Sequence, residues 1–138
     1  MKSILLVFAL AMGTIQGIAQ TKQAEMSFDK ETHDYGEITT SNDGNCIFTF
    51  TNTGNAPLII SNAKGSCNCT VPSWPKEPIA PGESGEIKVH YNTKRVGPIN
   101  KSVYISSNAG DFTLRIKGKV SQGPGAPEKV SPQVRATN

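Results

Sequence analysis

Hydrophobic and polar residues alternate along several short stretches of this chain, most regularly over residues 46–52. One face of that stretch carries Cys46, Phe48 and Phe50, and the other carries Ile47, Thr49 and Thr51. A period of two is typical of a strand with one side in a core and the other in water, as in antiparallel sheets. The pattern therefore predicts a half-buried antiparallel strand.

The same alternation, bounded by turn residues, predicts further strands on both sides of this one. They cover residues 26–28, 33–38, a stretch beginning at residue 58, and residues 84–92, 101–107 and 112–120. Gly36 interrupts the second strand, which predicts a kinked edge strand with a bulge. Gly97 and Pro98 are expected to break the chain before residue 101. The inward positions predict a core that contains Phe48, Phe50, Ile87, Val89, Ile105, Leu114 and Ile116.

The spacing of these strands indicates the fold class. They recur about every ten residues, and no segment carries an apolar stripe at helical spacing over three turns. This pattern predicts an all-β protein, an immunoglobulin-like antiparallel sandwich of about seven strands over residues 26–120. A small closed barrel is the alternative that the same pattern permits.

The first residues are typical of a secretory signal peptide. A lysine at position 2 precedes the apolar run of residues 4–12, and Gly17 and Ala19 suit a cleavage site before Gln20. The run is too short for a membrane span, which needs about 20 residues. Residues 1–19 are thus predicted to be removed, leaving a periplasmic or secreted protein with no membrane span.

Removing the signal peptide leaves a single domain with two polar extensions. Residues 20–25 are expected to form a mobile lead-in, and residues 121–138 a disordered, proline-rich tail. The formal net charge of the whole chain is +3, and it falls to +2 when Lys2 is lost. A charge so close to zero argues against a nucleic-acid partner, which usually requires a concentrated basic patch.

Several motifs, in order, resemble one protein family. They are HDYGEI, FTFTNTGNAPLIIS, SCNCT, PSWPKEPIAPGESGEI and IKGKV. Together they resemble the bacterial secreted family called domain of unknown function 1573, which is similar to the ASH, Hydin and major-sperm-protein domains. The resemblance covers residues 28–120 and implies an immunoglobulin-like sandwich in an exported protein, without implying a reaction. Asn68 stands where this family usually has glycine, and Cys46 where it usually has another apolar residue.

The three cysteines are the best candidates for chemistry, because an exported protein meets an oxidising compartment. Cys46 is expected to pack as a small buried hydrophobe. Cys67 and Cys69 are separated by one residue in a section, residues 64–74, that is predicted to be irregular. They can form a disulfide, remain a dithiol or bind a soft metal such as Cu(I). A disulfide that staples the loop is the interpretation we favour, and its small ring should make it reducible.

Trp74 lies between Ser73 and Pro75, close to the cysteines in sequence. It either anchors a partner or folds back onto the core. His33 and His90 are the two histidines, on separate predicted strands, and are expected to be solvated. No catalytic motif, cofactor site or metal site is predicted.

These observations favour an exported, non-enzymatic binding or structural module with a protein partner in the cell envelope. The candidate binding residues are Cys67, Asn68, Cys69 and Trp74. The alternative is a thiol-based redox or soft-metal-handling protein that uses the loop of Cys67 and Cys69.

We predict that the mature chain begins at Gln20, because the small side chains of Gly17 and Ala19 occupy the −3 and −1 positions of the cleavage site. Amino-terminal sequencing of the exported protein checks this position. Recovery of soluble exported protein that still begins at Met1 would contradict the prediction.

Overall fold

The protein is an all-β structure in the computed structural model, which describes residues 17–123. Eight strands are present in that range: β1 (Met26–Phe28), β2 (Thr32–Thr39), β3 (Asn45–Asn52), β4 (Ile60–Gly65), β5 (Thr70–Ser73), β6 (Ser84–Tyr91), β7 (Gly97–Ser107) and β8 (Gly110–Ser121). The described part of the chain contains no helix, and so none long and apolar enough to cross a membrane. Most of the predicted signal peptide and tail lies outside the described residues.

The strands form two four-stranded sheets that pack face to face. The front sheet has the order β1-β3-β6-β5, and the back sheet has the order β2-β8-β7-β4. All neighbours are antiparallel except β2 and β8, which run parallel. The sandwich prediction is confirmed with eight strands rather than seven, and the closed barrel is wrong because the sheets have separate edges.

The core lies between the two sheets and is formed by the inward residues of the alternating strands. Along β3 and β6 every second side chain is buried, as the sequence predicted. All seven predicted core residues are at most 2% exposed: Phe48, Phe50, Ile87, Val89, Ile105, Leu114 and Ile116. Cys46 is also buried, and its thiol is free, as expected. The fold thus follows directly from the period-two pattern.

Strand β2 is the kinked edge strand that Gly36 predicted. Its register against β8 shifts between Asp34 and Glu37. Gly36 occupies that position with φ of 63°, a conformation that side chains with a Cβ rarely adopt. The amide of Gly36 donates to the Asp34 carboxylate at 2.8 Å, which closes the bulge locally.

The break expected at Gly97 and Pro98 is wrong, because β7 begins at Gly97. Pro98 pairs with Lys119 of β8. The other neighbour of β7, strand β4, reaches only as far as the pair of Gly65 with Val103. This part of β7 therefore has a free edge, where proline is tolerated because its missing amide hydrogen leaves no partner unpaired.

The second half of the lead-in, residues 23–25, is docked on the sandwich, whereas the sequence predicted a mobile segment. Ala24 is buried, and backbone hydrogen bonds join Gln23 to Asn55 and Glu25 to Thr53. The amide of Gln23 also donates to the side-chain oxygen of Asn55 at 2.7 Å. The sequence did not predict this docking, because the side chains of the segment are polar and the contacts use mostly backbone groups.

A buried asparagine, Asn52, connects three segments at this end of the molecule. Its side chain is fully buried and donates to the carbonyl oxygens of Ala56 and Ile79 at 2.8 and 2.9 Å. Its side-chain oxygen accepts from the amides of Gly54 and Glu25. The sequence suggested only a turn here, and the burial of this amide was not predicted.

We predict that Phe50→Ala lowers the free energy of unfolding by about 3–5 kcal/mol, because the ring is fully buried between the sheets. Urea denaturation of the folded domain measures this loss. Thr49→Ala, on the outward side of the same strand, is the matched control and should change stability by about 0.5 kcal/mol or less. A loss of under about 1 kcal/mol for Phe50→Ala would place that ring outside the core.

Candidate functional site

The predicted site residues lie at the two ends of the short strand β5. Cys67, Asn68 and Cys69 come directly before it, and Trp74 comes directly after it. The four residues of β5 lie between Cys69 and Trp74, so the five steps between their Cα atoms span about 16 Å at roughly 3.3 Å per residue. The structure therefore groups the three loop residues and places Trp74 apart from them.

The section predicted to be irregular, residues 64–74, is irregular at residues 66–69, which carry both cysteines, and forms strand at residues 64–65 and 70–73. Its first residues complete β4 in the back sheet, and β5 follows in the front sheet after four residues. The prediction was wrong for residues 70–73, because Pro72 suggested a loop, whereas it is accommodated in an edge strand. The chain thus crosses from one sheet to the other at the cysteines.

This crossing is tight, and Gly65 makes it possible. A Cβ atom at Gly65 would overlap the carbonyl oxygen of Thr70 and would lie 2.9 Å from its carbonyl carbon. Cys67 and Cys69 are joined by a disulfide, with their Cα atoms 5.3 Å apart. Asn68 does not have positive φ, so the loop does not need the glycine that the family usually has there.

Thr70 places its hydroxyl beside both sulfur atoms of the disulfide. The distances from Oγ1 to Cys67 Sγ and Cys69 Sγ are 3.6 and 3.8 Å. Disulfide sulfurs carry no hydrogen, so the hydroxyl is the donor in these contacts. Thr70 is only 2% exposed and Cys69 5%, whereas Cys67 is half-buried. Of the two bonded cysteines, Cys67 is therefore the more exposed residue.

Trp74 is half-buried and packs against the edge of the core. The Nζ atom of Lys76 lies 3.0 Å from the centroid of its ring, a cation–π contact. An open groove of about 440 Å³ lies beside the ring, lined by Ser73, Trp74, Pro75, Gly85, Glu86 and Lys88. The side chain thus covers part of the core and also presents a surface to solvent.

A second, more apolar groove lies on the outer face of the front sheet. Its volume is about 480 Å³, and its lining consists of Asn45, Cys46, Ile47, Val71, Ser73, Lys88, Val89 and His90. Ile47 is 46% exposed and Val71 is 56% exposed. Lys88 and His90 lie on β6, the strand between β3 and β5. Lys88 is opposite Ile47 of β3, and His90 is opposite Val71 of β5, so the lysine and the histidine lie between the two aliphatic side chains.

We refer to Ile47, Val71, Ser73, Lys88 and His90 as the front patch. It adjoins the Trp74 groove, because Ser73 and Lys88 line both. Sequence reasoning did not select these residues. The available signal was Ile47, an isoleucine at an outward position of a strand whose other outward residues are threonines.

The open edge of β5 is blocked for strand addition. The amide of Asn92 points to β5, where it donates to Cys69, and the amide of Tyr91 points away, to Gly44. The backbone N–H and C=O groups of successive residues in a strand point to opposite sides. The backbone groups of Val71 therefore pair with those of His90, and the backbone groups of Pro72 point to the open edge. Proline has no amide hydrogen, so an incoming strand would find no donor there.

A tyrosine and a cysteine side chain between the sheets have shifted pKa values. Burial raises the pKa of the Cys46 thiol, and burial together with a contact to Cys46 raises the pKa of Tyr35 well above its usual range. The Tyr35 hydroxyl donates to the Gly44 carbonyl at 2.8 Å. His33 packs against Tyr35, and burial lowers its pKa, whereas His90 contacts Asn45 on another strand.

The described part of the chain contains no group of three or more histidine, cysteine, aspartate and glutamate side chains that could hold a metal ion. A sulfur in a disulfide is also not a thiolate, which is the form that binds soft metals. With the disulfide formed, this loop lacks the ligands of a closed metal site, which usually number four.

Comparison with known proteins confirms the family resemblance. The model of the family described as a protein of unknown function (DUF1573) matches residues 26–120, from the first residue of β1 to the second-last residue of β8. No curated protein matches the chain.

Solved structures share the fold at low sequence identity. A protein of unknown function from Porphyromonas gingivalis W83 has a TM-score of 0.64 at 13% identity. The alignment covers 77% of this chain and 51% of the Porphyromonas protein, so this chain spans about half the length of that protein. The ASH/PapD-like domain 7 of human CEP192 has a TM-score of 0.60 at 6% identity, covering 88% and 99% of the two chains. The CupB2 chaperone of Pseudomonas aeruginosa has a TM-score of 0.52 at 10% identity, covering 72% and 57%.

We predict that Gly65→Ala destabilises the protein by about 1–3 kcal/mol, the range for overpacking, because the added methyl group overlaps the backbone of Thr70. Urea denaturation measures the effect. Asn68→Ala, at an exposed position of the same loop, should change stability by about 0.5 kcal/mol or less. Equal stability of the two variants would show that β4 and β5 can separate without cost.

Proposed function

This chain belongs to the DUF1573 family, and we propose that it is an exported, non-enzymatic module that binds a protein partner in the cell envelope. Export is supported by the signal-peptide pattern of residues 1–19.

The observation that carries the binding proposal is the front patch. Two aliphatic side chains, Ile47 and Val71, are each about half exposed on a sheet face whose other outward residues are polar. Exposed apolar side chains that share a groove with polar ones are typical of interaction sites. The patch lies on rigid strands, so a partner would bind it without first ordering a loop.

The chemistry of the patch indicates what would bind. The lining residues of its groove include Lys88 and His90 and no aspartate or glutamate. An extended segment of another protein, with aliphatic side chains and at least one carboxylate, would match both the apolar and the basic groups. Trp74 lies beyond Lys88 and would add an aromatic contact, a residue type that contributes strongly at interfaces.

The partner would lie on the face of the front sheet and not extend its edge. Pro72 removes the donor from the open edge of β5, so a bound segment cannot form a regular ladder there. Side-chain contacts to Ile47, Val71 and Lys88 would then supply most of the affinity. Substitutions at these three positions are therefore the informative ones.

Catalysis has little support in the arrangement of the side chains. Within residues 17–123, the two histidines lie on separate sheets, and neither contacts a cysteine or a carboxylate in a nucleophile–base pair. The metal-handling alternative requires the Cys67–Cys69 bond to be open. The redox alternative rests on the accessibility of that bond.

We expect a photo-crosslinking amino acid in place of Val71 to yield a covalent adduct with an envelope protein when the variant is expressed in the native host. The same amino acid in place of Tyr104, which is 46% exposed on the back sheet, is the matched control. Combining the crosslinker with Lys88→Glu should remove the adduct, because the substitution opposes a partner carboxylate.

Three outcomes would contradict the proposal. The same adducts at positions 71 and 104 would indicate non-specific capture. An adduct that consists of two copies of this chain would identify self-association. An adduct that persists with Lys88→Glu would show that the partner does not use the basic side chains of the front patch. Circular dichroism of each variant confirms that the sandwich is folded.

A further inference from the structure

We propose that the Cys67–Cys69 disulfide exchanges with an external thiol, which attacks Cys67 and displaces Cys69. The inference goes beyond the proposed binding function and does not depend on the front patch. It rests on the different exposure of the two sulfur residues and on the placement of the Thr70 hydroxyl.

The attack is directed to Cys67 by access. Cys67 is half-buried, whereas Cys69 is only 5% exposed. An open groove of about 480 Å³ surrounds the loop, and its lining includes Lys64, Cys67 and Asn68 but not Cys69. A thiolate must approach a disulfide sulfur directly, so access decides which sulfur it attacks. The ammonium group of Lys64 favours an anionic nucleophile in this groove.

The departing sulfur is next to a hydrogen-bond donor. The Thr70 hydroxyl is almost fully buried and lies 3.6 Å from Cys67 Sγ and 3.8 Å from Cys69 Sγ, so it can donate to whichever of the two sulfurs becomes negatively charged. A buried thiolate loses hydration, and a donor at this distance can replace part of it as negative charge develops on the sulfur. Thr70 is therefore a positioning residue for the exchange, held by the close contact of its backbone with Gly65.

The exchange balances with thiols as the only co-reactant. A thiolate forms a bond to Cys67 Sγ, and the bond between the two sulfurs breaks with its electron pair going to Cys69. A second thiol then attacks the mixed disulfide at the partner sulfur and releases Cys67. In the net reaction, two external thiols are oxidised to one disulfide, and the Cys67–Cys69 disulfide is reduced to two thiols. The two protons that Cys67 and Cys69 gain come from the external thiols.

The first experiment maps the intermediate. The purified mature protein is incubated with reduced glutathione, quenched with acid, and its peptides are analysed by mass spectrometry. We expect glutathione on Cys67 and not on Cys69. A disulfide that stays closed in the native protein and reacts only in denaturant would overturn the proposal, and so would glutathione on Cys69.

The second experiment tests Thr70. We expect Thr70→Val to slow the exchange with glutathione about tenfold, the loss that a hydrogen bond to a charged group would give, and Thr70→Ser to restore it. Thr51→Val is the matched control. The Thr51 hydroxyl contacts Ser84 at one end of β6, whereas Thr70 pairs with Tyr91 at the other end. An unchanged rate for Thr70→Val would overturn the role of its hydroxyl.

A spectroscopic readout separates this role from simple packing. In a background of Cys46→Ala and Cys67→Ser, the thiol of Cys69 is alone, and thiolate absorbance reports its ionisation against pH. Thr70→Val should raise the pKa of Cys69, and Thr70→Ser should leave it close to the value with threonine. Equal titration curves for all three would contradict the proposal.

The source of the thiol is distinguished by comparing glutathione with a peptide that contains one cysteine between apolar and acidic residues. Faster reaction with the peptide would identify a protein thiol as the natural reactant. Faster reaction with glutathione would identify a small thiol. Either result supports exchange at Cys67. If neither glutathione nor the peptide reacts, the proposal is overturned.

Discussion

The side-chain amide of Asn52 has to find its hydrogen bonds inside the protein, since none of it reaches water. An unpaired buried amide costs about 1–3 kcal/mol, so its partners are held in place. One partner is the carbonyl of Ile79, whose backbone also pairs with Leu58. The chain that leaves β5 at Trp74 must therefore return along a fixed path to β6. Asn52 thereby holds the connection between β5 and β6, the two strands that carry most of the front patch.

Adjacent residues of strand β5 face the interior and the surface of the molecule. Thr70 turns its side chain inward to the disulfide, and Val71, the next residue, turns outward to the front patch. This is the ordinary alternation of a strand, and only four residues are needed to produce it. Because β5 directly follows the crossing between the sheets, the disulfide at its start and the apolar surface along it share one short support.

The sequence predicted most of the fold because the period-two pattern in β3 and β6 has one consistent solution. Phe48 and Ile87, for example, could only be buried on the same side of one sheet. The short strand β5 was missed because Pro72 is normally a reason to reject a strand, and its tolerance depends on the edge position that pairing creates. For the same reason, the sequence analysis grouped Cys69 and Trp74 in one candidate site. They are neighbours in sequence, and only the extended conformation of β5 places them far apart.

The parallel pairing of β2 with β8 has a mechanical consequence. The first residue of β2 and the last residue of β8 lie at opposite ends of the back sheet, because the two strands run in the same direction. Tension that pulls these two ends apart would load the hydrogen bonds between the strands together, in shear, instead of opening them one at a time. Only the bulge at Gly36 interrupts that ladder. The strand pair is thus arranged to resist stretching of the domain along its length.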